Sequence, residues 1–373
     1  MEEKKEPPET REPPEMAELM MKLAAIRRDA EREEPAPRFP WRLVVVVAAG
    51  LVALSVLLAG PCRSASAQTA AGRPQDPKAE LRKRVYHLDP SGPVMLASFE
   101  IGLVTYDMTD PAKPVRTGEM EVPGSVVSAA LRGPTAWVCA GPYGLLAVDV
   151  SDPGRPREVG RLDTPGSAME IAFLDTFGFL ADGSMGIAVL DLSDPRKPKE
   201  IGRIDTTDYA RGVAVAGRRL LTAEDRAGVG VFELSDPARP KPVARIAIPG
   251  QARNIAVHGD TAFVAGGTGG ATAIALAPQP KVAWTLPTDD IARGVAVHRG
   301  GAGLVVADGT AGFKVVSLSD PRAGPRVVSS TRGPDSAAAR VAVVGDRLYV
   351  AFDYAGFQVW DLSVPASPRM YGR

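Results

Sequence analysis

One phrase recurs through most of this chain: a glycine, an apolar pair separated by one residue, then Asp-x-Ser-Asp-Pro-x-x-Pro. It is clearest at Gly144-Leu145-Leu146-Ala147-Val148-Asp149-Val150-Ser151-Asp152-Pro153 and again at Gly186-Ile187-Ala188-Val189-Leu190-Asp191-Leu192-Ser193-Asp194-Pro195. The opening glycines are Gly102, Gly144, Gly186, Gly228, Gly270, Gly312 and Gly356, spaced by 42 residues with a final interval of 44. The turn prolines Pro111, Pro153, Pro195, Pro237, Pro278, Pro321 and Pro365 keep the same phase, except that the fifth turn is one residue short. A phase held over seven copies is the signature of a repeat architecture in which each copy buries its faces against its neighbours.

Each copy divides into four short strands. In the fourth they are expected at 211–215, 220–223, 228–234 and 242–248. The glycine tolerates positive φ after the second strand, the Asp and Ser side chains satisfy local backbone N–H groups, and the proline, which has no N–H, ends the third strand. An alanine recurs in the first strand, at Ala130, Ala172, Ala214, Ala256, Ala296 and Ala342. Small residues at one depth suit sheets converging on a common axis. Four strands in about 42 residues is the size of a β-propeller blade. The chain is therefore read as all-β, a seven-bladed β-propeller of four-stranded blades over 83–373. The 38 glycines and 34 prolines disfavour a helical solenoid, and a β-helix has a much shorter period.

The first eighty residues have another character. Residues 1–40 are charged and Pro-rich and read as a disordered cytoplasmic tail, with a short amphipathic stretch over 16–32. Residues 41–60 carry one charge, Arg42 at the edge, and are long enough to cross a bilayer as one helix, with Trp41 at the interface. Arg27, Arg28, Arg32, Arg38 and Arg42 precede the run, so the amino terminus is expected to stay inside and the repeats outside, in the periplasm or at the cell surface. The alternative is a signal peptide cleaved near Ala67, since Ala65-Ser66-Ala67 fits a processing site. Leu58 to Cys62 resembles a lipoprotein box, but Pro61 stands where a small residue is needed. Residues 61–82 read as a linker.

The repeat motif, with Ile187, Phe313 or Phe357 after the glycine in some copies, resembles that of the LVIVD-repeat proteins. The resemblance covers roughly 83–373. Two copies depart from it, Ala277-Pro278 lacking the Asp and Val364-Pro365 replacing it. It implies an extracytoplasmic bacterial β-propeller and supplies no catalytic residue to carry over.

The 44 Lys and Arg equal the 44 Asp and Glu, so no charge excess drives nucleic-acid binding. Two cysteines make no disulfide framework, and three histidines leave little for a metal site. Neither a cofactor nor a metal is expected. In a propeller the first strands begin at the channel mouth, and Arg211, Arg253 and Arg293 occupy equivalent places there in copies four to six, with Arg340 one residue out of register. Guanidinium forks suit carboxylate or phosphate, so these three, with Asp208 and Asp290 in the preceding loops, are the candidate ligand-binding residues. The competing reading is inter-blade ion pairing with Asp205, Asp208, Asp289 and Asp290.

Asp182, Glu224 and Asp308, four residues before the glycines, are read as turn-stabilising acids, His87, His258 and His298 as buried polar residues, and Cys139 as an inert thiol. The function expected is a membrane-tethered, monomeric scaffold binding a protein or an anionic ligand at the mouth. The alternative is a propeller enzyme, of hydrolase or lactonase type, using Glu170, Asp208, Asp290 and His298.

Overall fold

The computed structural model describes residues 84–371, apart from Ser91, Pro321 and Arg322. The predicted tail, membrane-spanning segment and linker lie outside the described residues. Among the described residues no helix is long and apolar enough to cross a membrane.

Seven four-stranded antiparallel sheets are each drawn from contiguous sequence, with strands in chain order from the axis outward. In the fourth blade the strands are Gly212–Ala216, Arg219–Ala223, Val229–Glu233 and Lys241–Ile246, within two residues of the spacing-based expectation. The first strand of every blade touches the first strands of both neighbours. Val85–Asp89 of the first blade meets Ala338–Val344 of the seventh, so the ring closes.

Side chains alternate across a strand, so each blade offers one set of residues to each neighbour. In the second blade Ala136 and Val138 pack with Leu96 and Leu103 of the first, whereas Trp137 and Cys139 pack with Leu180 and Leu190 of the third. The same division yields seven apolar clusters, one at each inter-blade seam. Each fully buried aliphatic or aromatic side chain contributes about 1.5–3 kcal/mol of burial free energy, so the ring is held by its seams. Among the described residues no strand is donated across the last seam. There Val85 and Met95 pack against Tyr349 and Val359, and the Tyr349 hydroxyl donates to the Pro111 carbonyl at 2.8 Å.

The repeated residues act locally as their chemistry requires. The Asp149 carboxylate accepts the Ser151 N–H at 3.0 Å and its hydroxyl at 2.7 Å, and these bonds hold its pKa down at about 2. Gly144, Gly186 and Gly228 have φ of 76°, 76° and 84°, and a Cβ there would lie 2.2–2.3 Å from a carbonyl oxygen of the neighbouring fourth strand. Gly102 lacks the positive φ, but the Met120 carbonyl would stand 2.5 Å from its Cβ. In six blades the register shifts between the third and fourth strands. Such bulges strengthen the twist of the outer edge and make it a poorer template for further strands.

Candidate functional site at the channel mouth

The first strands place two rings of side chains at one end of the channel. The outer ring has Arg211, Arg253 and Arg293 from blades four to six, and Tyr86, Val127, Met169 and Ala339 from the other four. All seven line one cavity of about 260 Å³, together with Arg84, Ile291, Arg340 and Asp353. The three arginines predicted from repeat register therefore do converge.

One residue further along each strand stand Glu170, Asn254 and Arg340, with Gly212 and Gly294 between them. Gly212 is required here: a Cβ would come within 2.6 Å of the Glu170 Oε2. Glu170 accepts hydrogen bonds from Asn254 Nδ2 at 3.2 Å and the Val213 N–H at 3.3 Å, and its Oε1 lies 3.8 Å from Arg340 Nη2. Burial raises its pKa, against the opposing pull of Arg340 and the two donors. Ser128 and His87 complete this inner layer. Burial and the nearby Arg340 charge drive its pKa down to about 3, so the imidazole is neutral at ordinary pH.

The five guanidinium groups fall into two kinds. Arg211 holds Asp225 through Nε at 2.7 Å and Nη2 at 2.6 Å, and Arg293 Nη1 holds Asp353 at 2.8 Å. Arg84 approaches Asp353 only to 3.8 Å, Arg340 approaches Glu170 to the same distance, and Arg253 donates to the Gln251 side-chain oxygen at 3.1 Å. Arg84 Nε, Arg253 Nε and Arg340 Nη1 are buried without any hydrogen-bond partner. Burial, with the Arg211, Arg293 and Arg340 charges, lowers the Arg253 pKa despite Asp225 nearby. Aromatic rings brace two of the cations: Arg84 lies 4.8 Å from the Tyr86 centroid and 5.3 Å from that of Tyr354, and Arg211 lies 5.1 Å from that of Tyr209.

Asp208 and Asp290 do not line the cavity. Asp208 accepts the backbone N–H of Tyr209 at 2.7 Å and of Arg226 at 3.1 Å, and Asp290 accepts the Thr310 N–H and hydroxyl at 2.7 and 2.6 Å. Those bonds hold the Asp290 pKa low. Arg211 and Arg293 are instead paired by Asp225 and Asp353, which stand three residues before the repeat glycine. Four other copies have glycine there: Gly141, Gly183, Gly267 and Gly309. That interruption of the repeat was the signal available for them.

Asp182, Glu224 and Asp308 are fully buried and engaged by local donors: the Thr164 hydroxyl at 2.7 Å, the Thr207 N–H at 3.0 Å, and the Asp289 and Asp290 N–H groups at 3.0 and 2.8 Å. His298 is buried at the opposite end of its strand, Nε2 lying 3.0 Å from Asp346 Oδ1, while His258 is exposed and abuts Gly301. Glu170, Asp208, Asp290 and His298 thus form no common centre. Cys139 is buried, and burial pushes its thiol up to about 12. Among the described residues no group of three or more His, Cys, Asp or Glu is placed to hold a metal ion.

Fold and mouth together define a seven-bladed β-propeller with an arginine-lined channel entrance. The LVIVD repeat model matches residues 123–164, 165–206, 249–272 and 336–373. These matches place LVIVD repeats in the second, third, fifth and seventh blades. No curated protein matches it. Among solved structures it is similar to the computationally designed Ika8 protein, with a TM-score of 0.56 and 8% identity over 75% of this chain and 96% of that one, a likeness of fold alone.

Proposed function

We propose that this propeller is a binding scaffold that captures a partner or ligand through a negatively charged group seated at the channel mouth. The observation that carries the reading is the three guanidinium nitrogens buried in one cavity without acceptors. A buried donor left unpaired costs about 1–3 kcal/mol, and an incoming carboxylate or phosphate supplies the missing acceptors. In the same proposal residues 41–60 anchor the scaffold in a membrane with the propeller on the extracytoplasmic side, supported by the length of the apolar run and the arginines before it.

In-cell crosslinking tests the mouth: the species captured by the wild-type chain should be lost from the variant with Arg211, Arg253 and Arg293 all changed to Ala, while its circular dichroism is retained. Undiminished capture would remove the assignment. Fractionation tests the anchor. The full chain should sediment with membranes, and recovery of a soluble form starting just after Ala67 would favour the cleaved alternative.

A further inference from the structure

We infer that the mouth takes an amphipathic organic oxyanion, a phosphate monoester or a dicarboxylate whose charged head faces Arg84, Arg253 and Arg340 and whose apolar body lies on Val127 and Met169. The inference rests on the reading of the mouth as an anion site and specifies the ligand class.

Charge sets the head. Five guanidinium groups line the cavity against three carboxylates that approach them within 4 Å, Asp225, Asp353 and Glu170, so among the groups in contact the cations exceed the acids by two with Glu170 ionised. The surplus falls on three particular residues. Arg211 and Arg293 have close carboxylate partners; Arg84, Arg253 and Arg340 do not, and these are the ones with a buried, acceptor-less nitrogen. Arg340 belongs to the inner layer, so the head reaches below the outer ring.

The wall from blades two and three sets the body. Val127 and Met169 occupy the ring position held by arginine in blades four to six, with Tyr86 of the first blade and Arg211 of the fourth on either side. The Met169 thioether is held in place, accepting weak hydrogen bonds from the Ser167 hydroxyl at 3.7 Å and the Tyr209 hydroxyl at 3.5 Å. The cavity holds about 260 Å³. A single water accounts for about 30 Å³ of liquid, so a bare inorganic oxyanion fills only part of the space and leaves the apolar wall uncovered.

Two matched pairs of probes, phosphate with phenyl phosphate and malonate with phenylmalonate, test this on the full-length chain in detergent by isothermal titration. The phenyl member of at least one pair should bind about tenfold tighter or better, the gain expected for burying one ring against an apolar wall. The pair that binds identifies the head as phosphate or carboxylate. Changing Val127 and Met169 together to Ser should erase the preference while leaving phosphate or malonate affinity within about twofold, and Arg253→Gln should weaken every member that binds, by about tenfold. Equal affinity within both pairs, or a phenyl preference that survives the double Ser change, overturns the inference. No binding of any probe, with crosslinked capture still dependent on the arginines, overturns it too but leaves the anion reading standing. Capture indifferent to the arginines removes that reading as well.

Discussion

Blades four to six and blades one to three bring the same backbone position to the mouth, yet one half of the ring presents Arg211, Arg253 and Arg293 and the other Tyr86, Val127 and Met169. The turn glycines are common to both halves: Gly144 and Gly186 share their positive φ with Gly228 and Gly270. The Asp that accepts from a following Ser N–H is not, since Asp149 and Asp191 are replaced by Glu233, Ala275 and Ser317 in blades four to six. A repeat therefore separates two tasks by position. Turn glycines and seam residues are confined by backbone geometry and packing, while the first residues of the inner strands face open space and are free to differ between copies.

The contrast between halves is tested most severely beneath it. Arg340→Ala leaves the Glu170 carboxylate buried without its nearest cation, and a loss of about 3 kcal/mol is expected from urea denaturation at pH 7. An unchanged midpoint would mean that Asn254 and the Val213 N–H suffice for the acid. Next in size is a pH effect in the adjoining first blade. His87 titrates at about 3 in the folded protein and near 6.5 when unfolded, so between those values the unfolded chain binds the extra proton. Stability should fall as pH drops below about 6.5, with His87 contributing a loss of about 2 kcal/mol by pH 5. Glu170 acts in the opposite sense, because its raised pKa means stability is lost as pH rises through it. The difference between wild type and His87→Gln across the pH series isolates the histidine, and parallel curves would refute the assignment.

A smaller effect of the reverse sign is expected within the cationic half. Arg253 is crowded by like charges and lacks a carboxylate partner, so Arg253→Gln should stabilise the fold by about 0.5–1 kcal/mol while weakening anion binding. Destabilisation instead would mean that the arginine braces the ring. The smallest change belongs to the turns of the other half. Asp149→Asn should flatten the part of the acid unfolding curve between about pH 4 and pH 2, where the native carboxylate resists protonation longer than the unfolded one, and leave the melting temperature at pH 7 lowered by only a degree or two.

The blade count, strand order and convergence of the three arginines were legible because each depends on register, and register is what a repeat records. Arg340 was harder. It stands one residue beyond the position of Arg293, aligned with Gly294 past the same register shift, and that offset places it in the inner layer beside Glu170. Arg84 precedes the first strand and carries no repeat signal. The acids assigned as arginine partners, Asp208 and Asp290, lie close in sequence but are consumed by backbone donors of their own loops. Asp225 and Asp353 take their place across the turn. Local spacing does not reveal which of two nearby carboxylates is already occupied by the main chain.

Because the wheel is sealed at Val85 and Tyr349 by side-chain packing rather than by a shared strand, its opening point has no privileged topology. Joining residues 84 and 371 with a flexible tether and cutting instead between two other blades preserves every strand pairing. Circular permutants of this protein should therefore assemble the same wheel, each with the mouth intact.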